Sequence, residues 1–158
     1  RILGIVAGGL NARAVFKGIS PFAGKVGEKI FSDSFTLTDD PLLPDSPYSF
    51  SLDDEGVPAR TKNLIDRGVL TGFVTDLRHA SKLGIEPSGN GMRGFTSLPS
   101  PSFSNVIVPA GETPLAHMFL SAPGGIIAEQ FIGLGQSNTL TGDFSANLDL
   151  AYALREGR

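Results

Sequence analysis

The chain has 158 residues, of which 41% are hydrophobic and 18% charged, with 20 glycines, 11 prolines and no cysteine. This length suits one domain with a buried core, and the composition indicates a turn-rich globular fold rather than a disordered or fibrous chain. The formal net charge is −3 and the 13 lysines and arginines are scattered singly, so the sequence offers no basic stripe for nucleic acid.

The longest apolar stretches, Ile2–Leu10 and Ile126–Leu134, are broken by glycines. They fall far short of the roughly 20 residues that a membrane span needs, so we expect no membrane partner. The absence of cysteine excludes disulfides and thiolate metal ligands and is compatible with a cytoplasmic location.

The first segment is predicted to be a helix, because apolar residues recur at helical spacing over residues 2–10 before the pattern ends in glycines and an asparagine. Residues 14–17 are predicted to be a short extended piece, and residues 31–38 an alternating strand. Residues 41–56 hold prolines and a glycine among aspartates and serines. We expect a long ordered loop there, of the kind that often carries function.

A β-hairpin and a helix are predicted next. Residues 57–65 and 69–73 flank a three-residue turn that ends in Gly68. Thr75 or Asp76 can cap the following helix, whose apolar stripe is followed by a glycine that marks its end.

The remaining elements alternate between strands and one helix. We predict a buried strand at 104–109, a helix that starts at 113–114 and runs to Ser121, and a strand at 125–131. Strict alternation from Phe144 to Leu154 indicates a strand with one buried face.

The ends of the chain indicate a fragment. The chain begins at Arg1 rather than at a methionine, and it stops at Arg158 before another strand can return to pair with residues 144–154. We expect a piece of a longer protein, truncated at both ends, whose open strand edge is covered by a dimer or crystal contact. As a whole, the sequence predicts an α+β fold with a mainly antiparallel or mixed β-sheet and about three helices, as one domain over residues 1–158.

Familiar catalytic patterns are missing. His79 and His117 lie far apart in sequence without the spacing of a zinc site. No serine stands in a nucleophile elbow, and Gly133-x-Gly135 lacks the third glycine of a dinucleotide fingerprint. We expect the serines to serve turns and caps.

Two segments carry functional possibilities beside structural ones. Asp53-Asp54-Glu55-Gly56 could bind a cation, hold an arginine or accept backbone amides, and we favour the amide-capping role before the hairpin. The glycine-rich segment 88–94 could cradle an anion, lie against an extended peptide, or simply permit a tight crossing.

Five motifs then occur in a recognisable order. They are Asp39-Asp40-Pro41; Asp53-Asp54-Glu55-Gly56-Val57; Leu64 to Leu70; Ala80 to Gly84 with Ser88-Gly89-Asn90-Gly91 and Arg93; and Gly133-x-Gly135-x-x-Asn138 with Thr141-Gly142-Asp143-Phe144-Ser145. Over nearly its whole length the chain resembles the C-terminal region of the TldD/PmbA family, whose members are also called modulators of DNA gyrase.

The resemblance implies a subunit of a cytoplasmic two-subunit metalloprotease. In that family the TldD-type subunit has a zinc-binding histidine motif upstream and a cysteine ligand in its C-terminal region, and the PmbA-type (TldE) partner lacks these ligands. This chain has Gly133-Leu134-Gly135-Gln136 in the neighbourhood of that cysteine and continues with residues 141–145. Those features are similar to the PmbA type.

The resemblance further implies that this chain holds no metal or other cofactor and no catalytic residue, with zinc in a TldD-type partner or upstream. The expected partners are a TldD-like subunit or a second copy, and an extended peptide substrate. The alternatives are a non-catalytic peptide-binding or assembly module, or a modulator of gyrase through protein contacts. The expected scaffold or cleft-lining residues are Asp54, Glu55, Gly56, Gly89, Asn90, Gly91, Arg93, Gly135, Asn138, Gly142 and Asp143.

Overall fold

The computed structural model describes residues 2–133 and 146–154. The chain divides into two compact units, residues 1–109 and residues 110–158. The first unit contains three helices and six strands: α1 (Ile2–Gly9), α2 (Ala12–Phe16), β1 (Leu37–Asp39), β2 (Lys62–Asp66), β3 (Val69–Leu70), α3 (Leu77–Leu83), β4 (Gly91–Met92), β5 (Ser100–Pro101) and β6 (Val106–Ile107). The second contains α4 (Leu115–Ser121), β7 (Ile126–Ile132) and β8 (Asn147–Ala153).

All the sheets formed by the described residues are antiparallel. In the first unit the order β3-β2-β1-β6 forms a four-stranded sheet, and β4 pairs with β5 in a separate two-stranded ribbon. In the second unit β7 pairs with β8. The predicted α+β class is confirmed, although the described residues form four helices rather than about three. No described helix is both long and apolar enough to span a bilayer.

The N-terminal segment folds into two helices. The predicted first helix is present as α1, but the extended piece predicted at residues 14–17 is wrong, because α2 occupies that position. Asn11 has extended backbone angles, and its side chain accepts a hydrogen bond from the Arg13 N–H. Asn11 therefore caps a new helix, α2. The sequence pattern predicted only that helix α1 ends there.

The core of the first unit lies between these helices and the sheet. Its fully buried aliphatic side chains include Leu10, Leu37, Leu64, Ile65, Leu70 and Val74. Three phenylalanines, Phe22, Phe31 and Phe35, pack beside them with ring centroids 5.9 and 5.1 Å apart. The strand predicted over residues 31–38 is consequently reduced to β1, because its first residues turn to bring two of these rings against the core.

The predicted hairpin and helix are both present, but the strands predicted at 57–65 and 69–73 are shorter, as β2 and β3. Asp66 pairs with Val69, so the connection is a two-residue Arg67-Gly68 turn rather than a three-residue one. Both turn residues have positive φ, 44° and 79°, which matches the twist of a tight hairpin. α3 begins after an Asp76 cap and ends at Gly84 in the left-handed conformation, as its sequence signals predict.

The second unit contains a hairpin with an exposed apolar face. β7 and β8 are each seven residues long, so the strand predicted at 144–154 pairs with a segment upstream of it rather than one downstream. The prediction of a buried face is wrong for β8, since Leu148 is 46%, Leu150 40% and Tyr152 51% exposed, whereas Leu154 just after the strand is buried. The alternation is real, but two strands alone do not cover either face of a sheet.

Candidate functional site

The acidic loop and the glycine-rich segment meet in the first unit. We call this contact the acidic junction and define it by Asp53, Asp54, Glu55, Gly91 and Arg93. The Asp54 N–H donates to the Gly91 carbonyl at 3.0 Å, and the Arg93 N–H donates to Asp54 Oδ2 at 2.8 Å. Residues separated by almost forty positions are thus placed in contact, which the sequence did not predict.

Asp53 organises the loop side of the acidic junction. One carboxylate oxygen accepts the N–H groups of Glu55 and Val57, at 3.0 and 2.8 Å, and the other accepts the Gly91 N–H at 2.8 Å. Gly56 completes the tight turn with a positive φ of 77°. A buried carboxylate with three amide donors is a structural capping group, which agrees with the amide-capping role favoured from the sequence.

Glu55 links the acidic junction to helix α3. Its Oε2 accepts the Leu77 N–H at 2.7 Å, which satisfies one of the free donors in the first turn of α3. A Cβ on Gly91 would lie only 2.2 Å from that same oxygen. A side chain at position 91 would therefore displace the Glu55 carboxylate, which occupies the space above the Gly91 backbone.

Asn90 extends the junction into a buried polar chain. Its amide nitrogen donates to Asp39 Oδ2 at 2.8 Å and to the Ser102 carbonyl at 2.9 Å, and its amide oxygen accepts the Ser88 hydroxyl at 2.7 Å. Ser88 in turn exchanges hydrogen bonds with Thr75. Asn90 is fully buried, so its role is to hold three segments together rather than to face a ligand.

Asp39 lies at the centre of these buried hydrogen bonds, and the sequence did not predict it as a site residue. Its two oxygens accept hydrogen bonds from Lys62 at 3.0 Å, from Asn90, and from the backbone and hydroxyl of Ser104 at 2.7 and 2.9 Å. The motif Asp39-Asp40-Pro41 was part of the family resemblance, but only the fold shows that Asp39 is completely buried. Its position at the end of an apolar alternating stretch was the one available signal.

The structure brings most of the predicted cleft residues together. Gly89 adopts a φ of 71°, and a Cβ there would lie 2.6 Å from the Pro58 carbonyl oxygen, so the chain crosses tightly at this point. The Arg93 side chain is exposed. Four predicted residues, Gly135, Asn138, Gly142 and Asp143, lie outside the described residues.

The described residues do not supply a zinc site of the implied kind. No group of three or more histidine and carboxylate side chains among them could hold a metal ion. Nδ1 of His79 lies 2.7 and 2.9 Å from the two oxygens of Asp76, so it is the protonated nitrogen and donates to that carboxylate. His117 is exposed on α4 in the second unit.

Comparison with known proteins agrees with the motif order. A sequence profile described as the PmbA/TldA metallopeptidase C-terminal domain matches residues 1–158. The metalloprotease TldD homolog of Haemophilus influenzae is 34% identical over 154 residues, which cover 97% of this chain and 32% of that protein.

Solved structures match the fold as well. TldE from Thermococcus kodakarensis superimposes with a TM-score of 0.88 at 33% identity, covering 100% of this chain and 37% of that one. A candidate modulator of a DNA gyrase from Thermotoga maritima gives a TM-score of 0.82 at 29% identity, covering 98% of this chain and 35% of that one.

The chain therefore belongs to the PmbA/TldD metallopeptidase family and corresponds to its C-terminal domain. It spans between 32% and 37% of the length of these relatives.

Proposed function

We propose that this chain is a non-metal-binding part of a TldD/PmbA-type zinc metalloprotease system that acts on unfolded or small peptides. In this proposal it resembles the PmbA (TldE) type, and the zinc is held by a TldD-type partner or by an upstream region. The observation that best supports this proposal is that Asp53, Asp54 and Glu55 accept backbone N–H groups within the chain. Both oxygens of Asp53 accept amide donors within the fold, and no group of three or more histidine and carboxylate side chains among the described residues could hold a metal ion.

The location of a peptide substrate is constrained by the same hydrogen bonds. An added peptide strand needs free backbone donors and acceptors on an exposed edge. At the acidic junction the N–H and carbonyl of Gly91 and the N–H of Arg93 are already bonded within the chain. We therefore do not assign the extended peptide to segment 88–94.

The β7–β8 hairpin fits contacts between subunits better. Alternate residues of a strand lie on the same face, so Leu148, Leu150 and Tyr152 share one face of β8, and Ile127 lies directly opposite Tyr152 on β7. Exposed apolar surface on a two-stranded sheet favours association with another chain. This observation supports the alternative that the chain is a non-catalytic assembly or peptide-binding module, with a TldD-like subunit or a second copy as its partner.

A reconstitution experiment tests the proposal. The purified chain, a TldD-type protein from the same organism, and their mixture are incubated with reduced and carboxymethylated casein, with and without EDTA. We expect no cleavage by the chain alone, and EDTA-sensitive cleavage by the mixture that exceeds the cleavage by the TldD-type protein alone.

Two outcomes would overturn the proposal. The first is stoichiometric zinc in the purified chain, measured by mass spectrometry, together with EDTA-sensitive cleavage by the chain alone. The second is a mixture no more active than the TldD-type protein alone. A change in gyrase supercoiling on addition of the chain would instead favour the third function, modulation of gyrase through protein contacts.

A further inference from the structure

A basic pocket lies in the first unit, and none of its lining residues belongs to the acidic junction. It is a cavity of about 380 Å³ between α2, α3 and the segment that leads into β5. Two cations come from each helix, Arg13 and Lys17 from the region of α2 and Arg78 and Lys82 from α3. Each pair is four residues apart, so both members lie on one side of their helix.

The positive charge of this basic pocket is not neutralised by its walls. No aspartate or glutamate is among the lining residues. Among the described residues, the ion pairs within 4.0 Å involve Lys29, Lys62 and His79, and none of the four pocket cations. Asp76 is the nearest carboxylate in sequence to Arg78, but it is buried and both of its oxygens face His79.

The pocket is rich in positive charge although the whole chain has a negative net charge. The net charge is −3, yet four of the 13 lysines and arginines surround one cavity. Like charges held close together raise the free energy of the folded state, and a bound anion lowers it. The sequence showed these residues as single scattered charges, and only the packing of α2 against α3 groups them.

The remaining wall of the pocket is partly apolar. The Phe16 ring packs edge-on against His79, with centroids 6.0 Å apart, and the Lys82 ammonium lies 4.3 Å from the Phe16 centroid. Leu98 adds a second exposed apolar side chain. The Ser97 hydroxyl oxygen accepts the Gly94 N–H at 2.9 Å, which leaves its proton available to a ligand.

We propose that this basic pocket binds the phosphate group of a small organic phosphate. Two guanidinium groups provide the paired donors that match phosphate oxygens, and two ammonium groups add charge. The cavity volume lies within the range of about 300–1,000 Å³ that small-molecule sites occupy, which leaves space for an organic part beside the phosphate. Phe16 and Leu98 supply the apolar contact for that part.

Binding is measured by calorimetry with ribose 5-phosphate, inorganic phosphate and ribose as separate probes. We expect ribose 5-phosphate to bind more tightly than inorganic phosphate, and ribose not to bind. Raising the salt concentration should weaken binding, because the pocket cations are exposed and screened. Equal affinity for the two phosphates would overturn the assignment to an organic phosphate.

Matched variants locate the binding. Lys17→Gln should weaken binding of ribose 5-phosphate by about tenfold, the loss typical of one charge-assisted contact. Lys25→Gln removes an exposed lysine that does not line the pocket and should leave binding unchanged. The double variant Arg13→Gln/Arg78→Gln should abolish binding while circular dichroism stays the same.

Thermal unfolding provides a second readout that separates binding from a folding defect. Without ligand at low salt, the double variant should unfold at the same or a higher temperature than the original protein, because repulsion is removed. Ribose 5-phosphate should raise the unfolding temperature of the original protein only. Binding of a tetraglutamate peptide with no response to either phosphate would overturn the proposal in favour of an acidic peptide.

Discussion

At the acidic junction, the carboxylates of Asp53, Asp54 and Glu55 accept N–H groups of their own chain. In the β7–β8 hairpin, by contrast, Leu148, Leu150 and Tyr152 are exposed and share one face. Polar groups that satisfy one another inside a fold contribute rigidity, whereas uncovered apolar surface favours association. The motif residues of the acidic junction therefore form hydrogen bonds within the first unit, and the exposed apolar residues that we propose to contact a partner lie in the second unit.

The largest expected change in unfolding free energy is that of a substitution in the polar network around Asp39. It tests whether this network stabilises the fold. Replacement of Asp39 by alanine leaves Lys62, Asn90 and Ser104 without their buried acceptor. The expected loss of unfolding free energy is about 3–5 kcal/mol, the cost typical of breaking a buried charged network. Urea denaturation followed by circular dichroism measures this loss.

Asp33→Ala is the matched control for Asp39→Ala. The Asp33 side chain is 77% exposed and pairs only with Lys29, so we expect a change below about 0.5 kcal/mol. Similar losses in the two variants would contradict the structural role of the Asp39 network.

The next prediction concerns the contact between the two motifs of the acidic junction. Gly91→Ala should cost about 1–3 kcal/mol, because the new methyl group displaces the Glu55 carboxylate from the Leu77 N–H. In a Glu55→Ala background the same substitution should cost much less, since the obstructing side chain is absent. A double-mutant cycle by urea denaturation measures the coupling.

Gly94→Ala serves as the control within the same segment. A Cβ there would lie 3.6 Å from its nearest neighbour, the Ser97 hydroxyl oxygen, which is an ordinary contact. If the costs of Gly91→Ala in the two backgrounds were equal, Glu55 would not be the reason for glycine at position 91.

The smallest effect on unfolding free energy is expected for a substitution in the β7–β8 hairpin. The same substitution should have a large effect on association. Leu150→Lys changes an exposed side chain and should alter unfolding free energy by less than about 0.5 kcal/mol. We expect the protein to associate through this face, and the lysine to shift it to the monomer in light scattering after gel filtration.

Asp149→Asn makes the same change in net charge as Leu150→Lys at the adjacent position, whose side chain lies on the opposite face of β8. It should leave association unchanged. A monomeric original protein, or equal association of both variants, would exclude this face as the interface.

Local signals predicted the elements whose determinants lie close together in sequence. Helix α3 has an Asp76 cap, a short apolar stripe and Gly84, so its ends follow from neighbouring residues. The β2–β3 hairpin with its Arg67-Gly68 turn is likewise determined by residues that are close together in sequence. The family was identified from the order of five motifs, and the profile match over residues 1–158 confirms it.

Other features depend on contacts between distant segments. Helix α2 has only five residues, so its cap at Asn11 rather than any periodicity defines it. The shortening of the strand predicted at 31–38 results from Phe31 and Phe35 packing into a cluster with Phe22. No local pattern specifies which aromatic rings meet.

The sequence alone determined the family, the α+β class and the residue types that the motifs require. Only the tertiary structure decided what those residues do. It bonds Asp39 to Asn90 across fifty-one positions, and it groups Arg13 and Lys17 with Arg78 and Lys82 around one cavity. The physical reason is that burial and electrostatic interaction depend on distance in space, which periodicity and spacing along a chain do not specify.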